Sequence, residues 1–444
     1  MKKLKIAFLG AGSGFVLTVA KELPTDPIFD QCELALADPQ RDRLDVAMKT
    51  VADEFARLGK TGCYNVTAHT DNDSALAGAD YVITACEPNR YANWYRDLAI
   101  PEQFGCFQIK GENGGPGGII HGLRNMIMFA GIAEKMEKHC PNATLLNFTN
   151  PMSFICTYMK NYTRIRTYGF CHQVHGSFGV VAEMLGMPPG ELEVISAGVN
   201  HMNWLFDIRH RGTGTSCMEE FISKMRTSKY WHEFQKIMSN QMFSREVYET
   251  FQMYPIGYDE HVIEYMPFFW DKEEWDQYGF EPMTNIYKDL AERKQHILEI
   301  QRLWGKEIEG PEFPANADDP YYAENPCRAI VALEKNIPTY FDAINIPNNG
   351  AVNNLPADVI LDVPGIAIGG EIRSIHVGTM PPGPQEICRR QIAQHEMLAK
   401  ACFERDDKLV EQIMCLAPYV TSITQARKIW AAYKEEYKDY LPGF

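Results

Sequence analysis

Three short polar insertions carry the residue types that do chemistry: Asn147-Phe148-Thr149-Asn150-Pro151, Cys171-His172 and Asn200-His201-Met202. Each follows an apolar run that reads as a strand, so each falls at a strand's carboxyl end, where open α/β sheets bind ligands. A fourth piece lies near the amino terminus, the loop Leu9-Gly10-Ala11-Gly12-Ser13-Gly14-Phe15. Gly10 permits a tight turn and Gly12 a close approach of backbone to a pyrophosphate, and the next helix start offers free N–H groups. The third position of the G-x-G-x-x-G pattern is Phe15, with Gly14 one place early. Asp38, at the end of the second strand, is placed to accept from a ribose hydroxyl and to repel a 2′-phosphate, which favours NAD over NADP. The residues expected around the dinucleotide are therefore Gly10, Gly12, Ser13, Gly14, Phe15 and Asp38.

A lone buried cysteine or histidine is usually core. Cys171 and His201 differ in following strands on the same edge of a sheet, each flanked by polar residues. A thiolate and an imidazole suit a divalent transition ion, with coordination positions left open for substrate oxygens. Glu112 and Arg124 flank the run Gly114-Gly115-Pro116-Gly117-Gly118, read as a turn that brings backbone close to a ligand. Arg124 either binds a hydroxyl or carboxylate there or faces solvent from the first turn of a helix.

The elements that position these residues alternate. Strands are expected at 5–9, 33–37, 65–69, 81–85, 143–148 and 166–170, with helices at 14–22, 41–58 and 123–139. That alternation predicts a doubly wound, parallel Rossmann-type α/β sheet. Beyond it, 192–197 and 205–209 look extended, 218–304 is helical and aromatic, and 309–325 reads as a mobile loop. Strands are expected again at 351–355 and 359–363, and helices close the chain from 384 to 434. At 444 residues two domains are the default, placed at 1–199 for the dinucleotide and 200–444 for a mixed α+β substrate and catalytic domain.

Composition removes several classes of function. A net charge of −15 with no basic stripe argues against nucleic acid and anionic membranes as partners. No apolar run approaches the roughly 20 residues needed to span a bilayer. The basic start Met1-Lys2-Lys3 leads into an apolar stretch that is short and runs straight into the glycine loop, so it reads as the first strand and not as a signal peptide. Twelve cysteines without a C-x-x-C pair fit reduced thiols and a cytoplasmic location.

Over nearly its whole length the sequence resembles glycoside hydrolase family 4, the NAD- and metal-dependent glycosidases. The resemblance rests on Gly10–Phe15, on Gly114–Ile119 with Arg124, and on Thr149-Asn150-Pro151. It continues through Cys171-His172 and Gly198-Val199-Asn200-His201 to Val352-Asn353-Asn354-Leu355-Pro356. It implies a lactate/malate dehydrogenase-like fold, Cys171 and His201 as ligands of a divalent metal, usually Mn2+, and contacts to the sugar from Asn150, with Glu112 and Arg124 as further substrate residues. The implied reaction oxidises the sugar at C3, removes the acidified C2 proton, eliminates the glycosidic oxygen, adds water at C1 and returns the hydride, so NAD ends unchanged. The Asp-x-His spacing in Tyr254–His261 points to Asp259 as the base, with Tyr258 as the alternative; His172 is a candidate acid. Members acting on 6-phosphosugars tend to carry Asn or Asp after the metal-binding Cys, so His172 implies an unphosphorylated hexoside, an α-glucoside or α-galactoside, with a uronide or a 6-phosphoglycoside as alternatives. The family also implies a homodimer or homotetramer. A 2-hydroxy acid dehydrogenase shares the fold and cofactor but needs neither Cys171 nor a metal, and a non-catalytic NAD sensor is the third reading.

Overall fold

The computed structural model describes residues 3–227, 230–232, 237–239, 241–266, 272–292 and 325–444. The first six strands are β1 (Lys5–Leu9), β2 (Glu33–Ala37), β3 (Asn65–His69), β4 (Tyr81–Thr84), β5 (Thr144–Asn147) and β6 (Arg166–Gly169). All pair in parallel in the order β3-β2-β1-β4-β5-β6. Four of the five residues of β1 and of β2, and all four of β4 and of β5, are buried. Such continuous apolar runs suit strands covered by helices on both faces. The order reverses between β1 and β4, and ligand crevices in open α/β sheets form at the carboxyl ends beside such a point.

The sheet does not stop at β6. β7 (Leu192–Val199), β8 (Met202–His210), β11 (Pro255–Ile256), β12 (Thr339–Pro347), β13 (Ile360–Ile368) and β14 (Glu371–Ser374) extend it with antiparallel pairings in the order β6-β12-β13-β7-β8-β11, β14 lying against β13. β9 (Tyr230–His232) and β10 (Ile237–Ser239) form a separate hairpin. One hydrophobic core runs from Phe8, Leu34 and Val82 through Leu145 to Trp204, Ile344 and Leu361. Residues 199 and 200, where the domain boundary was expected, enter the β7–β8 turn within this continuous sheet. No helix among the described residues is long and apolar enough to cross a membrane.

The differences from the sequence reading have local causes. Residues 351–355 are a loop and not a strand: the buried Asn348 side chain bonds Val352 N and the carbonyls of Val352, Leu355 and Pro356, offering the backbone an alternative to sheet pairing. β12 was not foreseen, because Asp342 and Asn345 interrupt its apolar pattern. The glycine-rich run is the start of a 25-residue helix, Gly115–His139, with Pro116 in its first turn where the missing N–H costs nothing. The 218–304 stretch holds helices Met218–Met225, Met242–Phe251, Asp259–Val262, Lys272–Tyr278 and Thr284–Glu292. Its Phe268, Phe269, Trp270 and Trp304, and residues 309–324 of the expected mobile loop, lie outside the described residues.

Candidate metal and dinucleotide site

The glycine loop leaves β1 with Gly10 and Gly14 both left-handed, at φ 88° and 87°. A Cβ on Gly10 would stand 2.5 Å from Ala85 O, so this glycine is required by the close approach of the loop after β4. A Cβ on Gly12 would meet Asp38 Oδ2 and Arg43 Cβ, both at 2.7 Å. Gly12 N–H donates to that same Asp38 oxygen at 2.9 Å, and Gln40 N–H donates to Oδ1 at 2.9 Å. The smallness of Gly12, expected to serve a pyrophosphate, is thus also required by the Asp38 carboxylate at the lip of the crevice. Ser13 is exposed, and Phe15 packs on Phe148 with ring centroids 4.6 Å apart. Phe148 stacks in turn on Phe170 at 5.4 Å, so one aromatic row joins the glycine loop to the residue before Cys171. A glycine loop after β1, an acid after β2 and a crevice at the switch point together fit a dinucleotide.

Cys171 follows β6, and His201 occupies the two-residue turn between β7 and β8, where Val199 pairs with Met202. Their side chains meet although 30 residues separate them: Cys171 Sγ lies 3.2 Å from His201 Nε2, both buried. A thiolate about 2.3 Å and an imidazole about 2.0 Å from one zinc-sized ion, at angles of about 90–109°, stand roughly 3.0–3.5 Å apart. The observed spacing suits two neighbouring ligands of one ion.

His201 has φ +73°, a conformation costly for a residue with a Cβ. The surroundings of Asn200 hold the turn in place. Tyr265 Oη donates to Asn200 O at 2.7 Å, Asn200 N–H donates to Ser153 Oγ at 3.1 Å, and Asn200 Nδ2 donates to the buried Asp362 Oδ2 at 3.0 Å. Burial first, and then the neighbouring His261, Lys110, His172 and Arg90, push the His201 imidazole well below its ordinary titration range. It is therefore neutral near pH 7, as a metal-binding imidazole must be.

Around this pair lie Glu112, expected to meet the substrate, and two residues to which the sequence reading gave no role, His261 and Glu264. Ligand atoms of Glu112, His201 and His261, all buried, fall within 4.8 Å of one another. The His201 and His261 rings meet edge to face at 4.3 Å, and His261 Nε2 lies 3.7 Å from Glu112 Oε2. The Asn113 amide is 2.7 Å from His201 Nδ1. Glu264 Oε1 is 2.7 Å from His261 Nδ1, and its Oε2 accepts from the N–H groups of Glu112, Asn113 and Gly114. The one sequence signal for this pair is spacing: His261 and Glu264, three apart, share a turn.

Other expected residues stand differently. Among the described residues the buried Asn150 Oδ1 has no hydrogen-bond partner and is an unsatisfied acceptor at the carboxyl end of β5. His172 is exposed beside Cys171. Tyr258 Oη packs against Gly176 in the helix Gln173–Leu185 that follows Cys171. The Asp259 carboxylate accepts from Phe243 N–H, Ser244 N–H and Ser244 Oγ at 2.5–3.1 Å, holding the first turn of the helix Met242–Phe251. Burial, working against these bonds, raises its carboxyl to about 6.

Arg124 does not face solvent. Its guanidinium is buried, forms a bidentate pair with Asp97 at 2.6 and 2.7 Å, and lies over the Tyr437 ring at 4.3 Å. Arg124 itself lines a cavity of about 200 Å3, together with Glu87, Asn125 and Tyr440, and neither Cys171 nor His201 lines it. The guanidinium is thus committed to Asp97 at the edge of that cavity.

A Rossmann-type sheet with a thiol–imidazole pair at the carboxyl ends of its strands has the donor set and the crevice to hold a metal ion and a nucleotide. The model of "Family 4 glycosyl hydrolase" matches residues 5–187, and that of its C-terminal domain matches 196–420. The chain belongs to glycosyl hydrolase family 4, and is a hydrolase acting on glycosyl bonds. It is 26% identical to an α-galacturonidase of Thermoanaerobacterium saccharolyticum over 394 residues, covering 84% of this chain and 82% of that one. It is 28% identical to an α-galactosidase of Bacillus subtilis, covering 99% of each chain. The fold is also that of a 6-phospho-α-glucosidase from gut microorganisms solved with NAD and Mn2+, at TM-score 0.82, 19% identity and 99% coverage of both chains.

Proposed function

We propose that this protein hydrolyses unphosphorylated hexopyranosides, α-galactosides or α-glucosides, using bound NAD and a divalent ion, Mn2+ in the first instance. The observation that carries the reading is the 3.2 Å approach of Cys171 Sγ to His201 Nε2 beside the dinucleotide crevice. Gly10, Gly12, Ser13, Gly14, Phe15 and Asp38 would hold the dinucleotide, and Cys171 and His201 the ion. When bound, these groups supply reversible hydride acceptance at the sugar C3 and Lewis-acid polarisation of the neighbouring oxygens. The chain's own residues do the rest. Asn150 Oδ1, buried and unsatisfied among the described residues, accepts from a sugar hydroxyl, and the Glu112 carboxylate binds a second. Asp259, with its carboxyl raised to about 6, is the proposed base for the C2 proton, and Tyr258 is the second candidate. His172, exposed next to Cys171, protonates the departing oxygen.

The absence of phosphate from the substrate is supported by His172 after the metal-binding cysteine and by the α-galactosidase relative. An α-galacturonide is the second reading, favoured by Arg90 and Lys110, two cations near His201, and by the α-galacturonidase relative. We take residues 1–199 as the dinucleotide unit and 200–444 as the substrate unit. The protein is proposed to be cytoplasmic, as its twelve free thiols suit, and a homodimer or homotetramer by likeness to the family.

The test is hydrolysis of p-nitrophenyl α-galactoside, α-glucoside and α-galacturonide with NAD, Mn2+ and reductant, each component omitted in turn. Turnover of a neutral α-hexoside without net NADH, lost when NAD or metal is withheld and lost in Cys171→Ser, is expected. Turnover of the galacturonide alone moves the assignment to the second reading. Full activity of Cys171→Ser, or NADH formed one for one with product, overturns the proposal.

A further inference from the structure

Glu264 lies in the 3-10 turn Ile263–Tyr265 and is 1% exposed. Oε2 collects three consecutive main-chain N–H groups, those of Glu112, Asn113 and Gly114, at 2.6, 2.7 and 3.2 Å. Successive N–H groups converging on one point make an anion-binding nest, and here the protein's own carboxylate fills it. Oε1 faces His261 Nδ1 at 2.7 Å, so that nitrogen carries the hydrogen and Nε2 is turned toward Glu112. The glycines of this region serve the same contact: a Cβ on Gly114 would stand 2.2 Å from Glu264 O. The residues so fixed are those that surround His201, with the Asn113 amide on Nδ1 and the His261 ring at its edge.

We infer that Glu264 is the positioning residue of the metal centre. It holds the His261 ring directly and, through the Glu112–Gly114 backbone, the Asn113 amide that orients the His201 imidazole toward Cys171. The inference rests on the proposal that Cys171 and His201 hold the ion. Glutamine cannot reproduce the arrangement, because one of its two amide atoms is a donor and both positions here require an acceptor.

Outer partners of metal-binding histidines typically change metal affinity by about 10–100-fold. The test titrates Mn2+ into the NAD-loaded full-length protein, without substrate, and reads free Mn2+ by electron paramagnetic resonance. Glu264→Gln is expected to weaken Mn2+ about 10–100-fold while NAD affinity stays within twofold, a pattern that general unfolding would not produce. Asn113→Ala is expected to weaken Mn2+ as well, and the double variant to lose less than the sum of the two, since both act along one chain of contacts. Mn2+ affinity unchanged in Glu264→Gln, or additive losses in the double variant, overturns the inference. If Glu264→Gln does not fold, unchanged affinity in Asn113→Ala breaks the link to His201 with the same effect. Cys171→Ser separates the two levels: if it binds Mn2+ like the wild type, the metal assignment fails, whatever Glu264 does.

Discussion

Asp259 holds the start of a helix and is also the proposed base. Its carboxylate accepts from two N–H groups at the start of the helix Met242–Phe251 and from the Ser244 hydroxyl, yet burial raises it to about 6. An acid whose folded value exceeds its ordinary 3.8 contributes stability fully below about pH 4 and loses it as pH rises through about 6. A base, by contrast, works only once ionised, so kcat/KM should rise through the same interval. Asp259→Asn removes the titrating group at some cost in stability, because the amide keeps one acceptor oxygen for the helix start while its NH2 meets an N–H donor. It should fold with a melting temperature that varies less between pH 4 and 7 than the wild type's. kcat/KM should fall by about 10²-fold or more, and the limb near pH 6 should disappear. Unchanged turnover would leave Asp259 as a helix cap and pass the base assignment to Tyr258. The polar insertions that named Cys171, His201 and Asn150 were legible because each follows an apolar strand. Glu264 and His261 were not, because Glu264 bonds residues about 150 positions away and the pair looks like an ordinary turn contact.

Among elements, the helix Gly115–His139 and its approach show how glycine can be misread. The run from Gly114 to Gly118 resembles a loop shaped to admit a ligand, but its free space is filled by the protein. A Cβ on Gly118 would stand 2.3 Å from Asn113 C, and Gly114 is pressed against the Glu264 backbone. Further along the same helix, a Cβ on Gly131 would meet nothing within 4 Å among the described residues. Gly114→Ala should therefore cost about 1–3 kcal/mol, as overpacking does, and should weaken Mn2+ binding by displacing Glu264. Gly131→Ala should stabilise by roughly 0.5–1 kcal/mol through helix propensity, with metal affinity unchanged. Thermal melts and Mn2+ titrations of the two variants check this, and equal effects would refute the account. β12 was hidden for a related reason. Asn345 sits inside the strand as an acceptor for Ser153 Oγ, the group that receives the Asn200 N–H, so polar groups supporting the His201 turn break the apolar pattern from which strands are read.

Across the whole molecule, the parallel half of the sheet was legible because its strands are apolar runs between helices, whereas its antiparallel continuation depends on pairings between distant segments such as β6 with β12 and β7 with β13. The C-terminal helices return to the first half in the same long-range way. Tyr433 Oη donates to Asp97 O at 2.5 Å, and Tyr437 Oη donates to Asp97 Oδ1 at 2.6 Å and to Asn93 O at 3.0 Å. Arg124 completes the group, so Asp97 ties the helix Arg90–Glu102, the helix Gly115–His139 and the end of the chain together. This network tests whether Arg124 is structural. Asp97→Ala leaves a buried guanidinium without its partner, an error that costs about 3–5 kcal/mol. Asp97→Leu combined with Arg124→Met removes both charges and should recover most of that loss, because a buried ion pair is often replaceable by packed apolar groups. The recovered double variant should also keep the wild-type KM for its glycoside, since the guanidinium it lacks was bound to Asp97. A raised KM in a stably folded double variant would return Arg124 to the substrate, and a single Asp97→Ala variant as stable as the wild type would deny the network its structural weight.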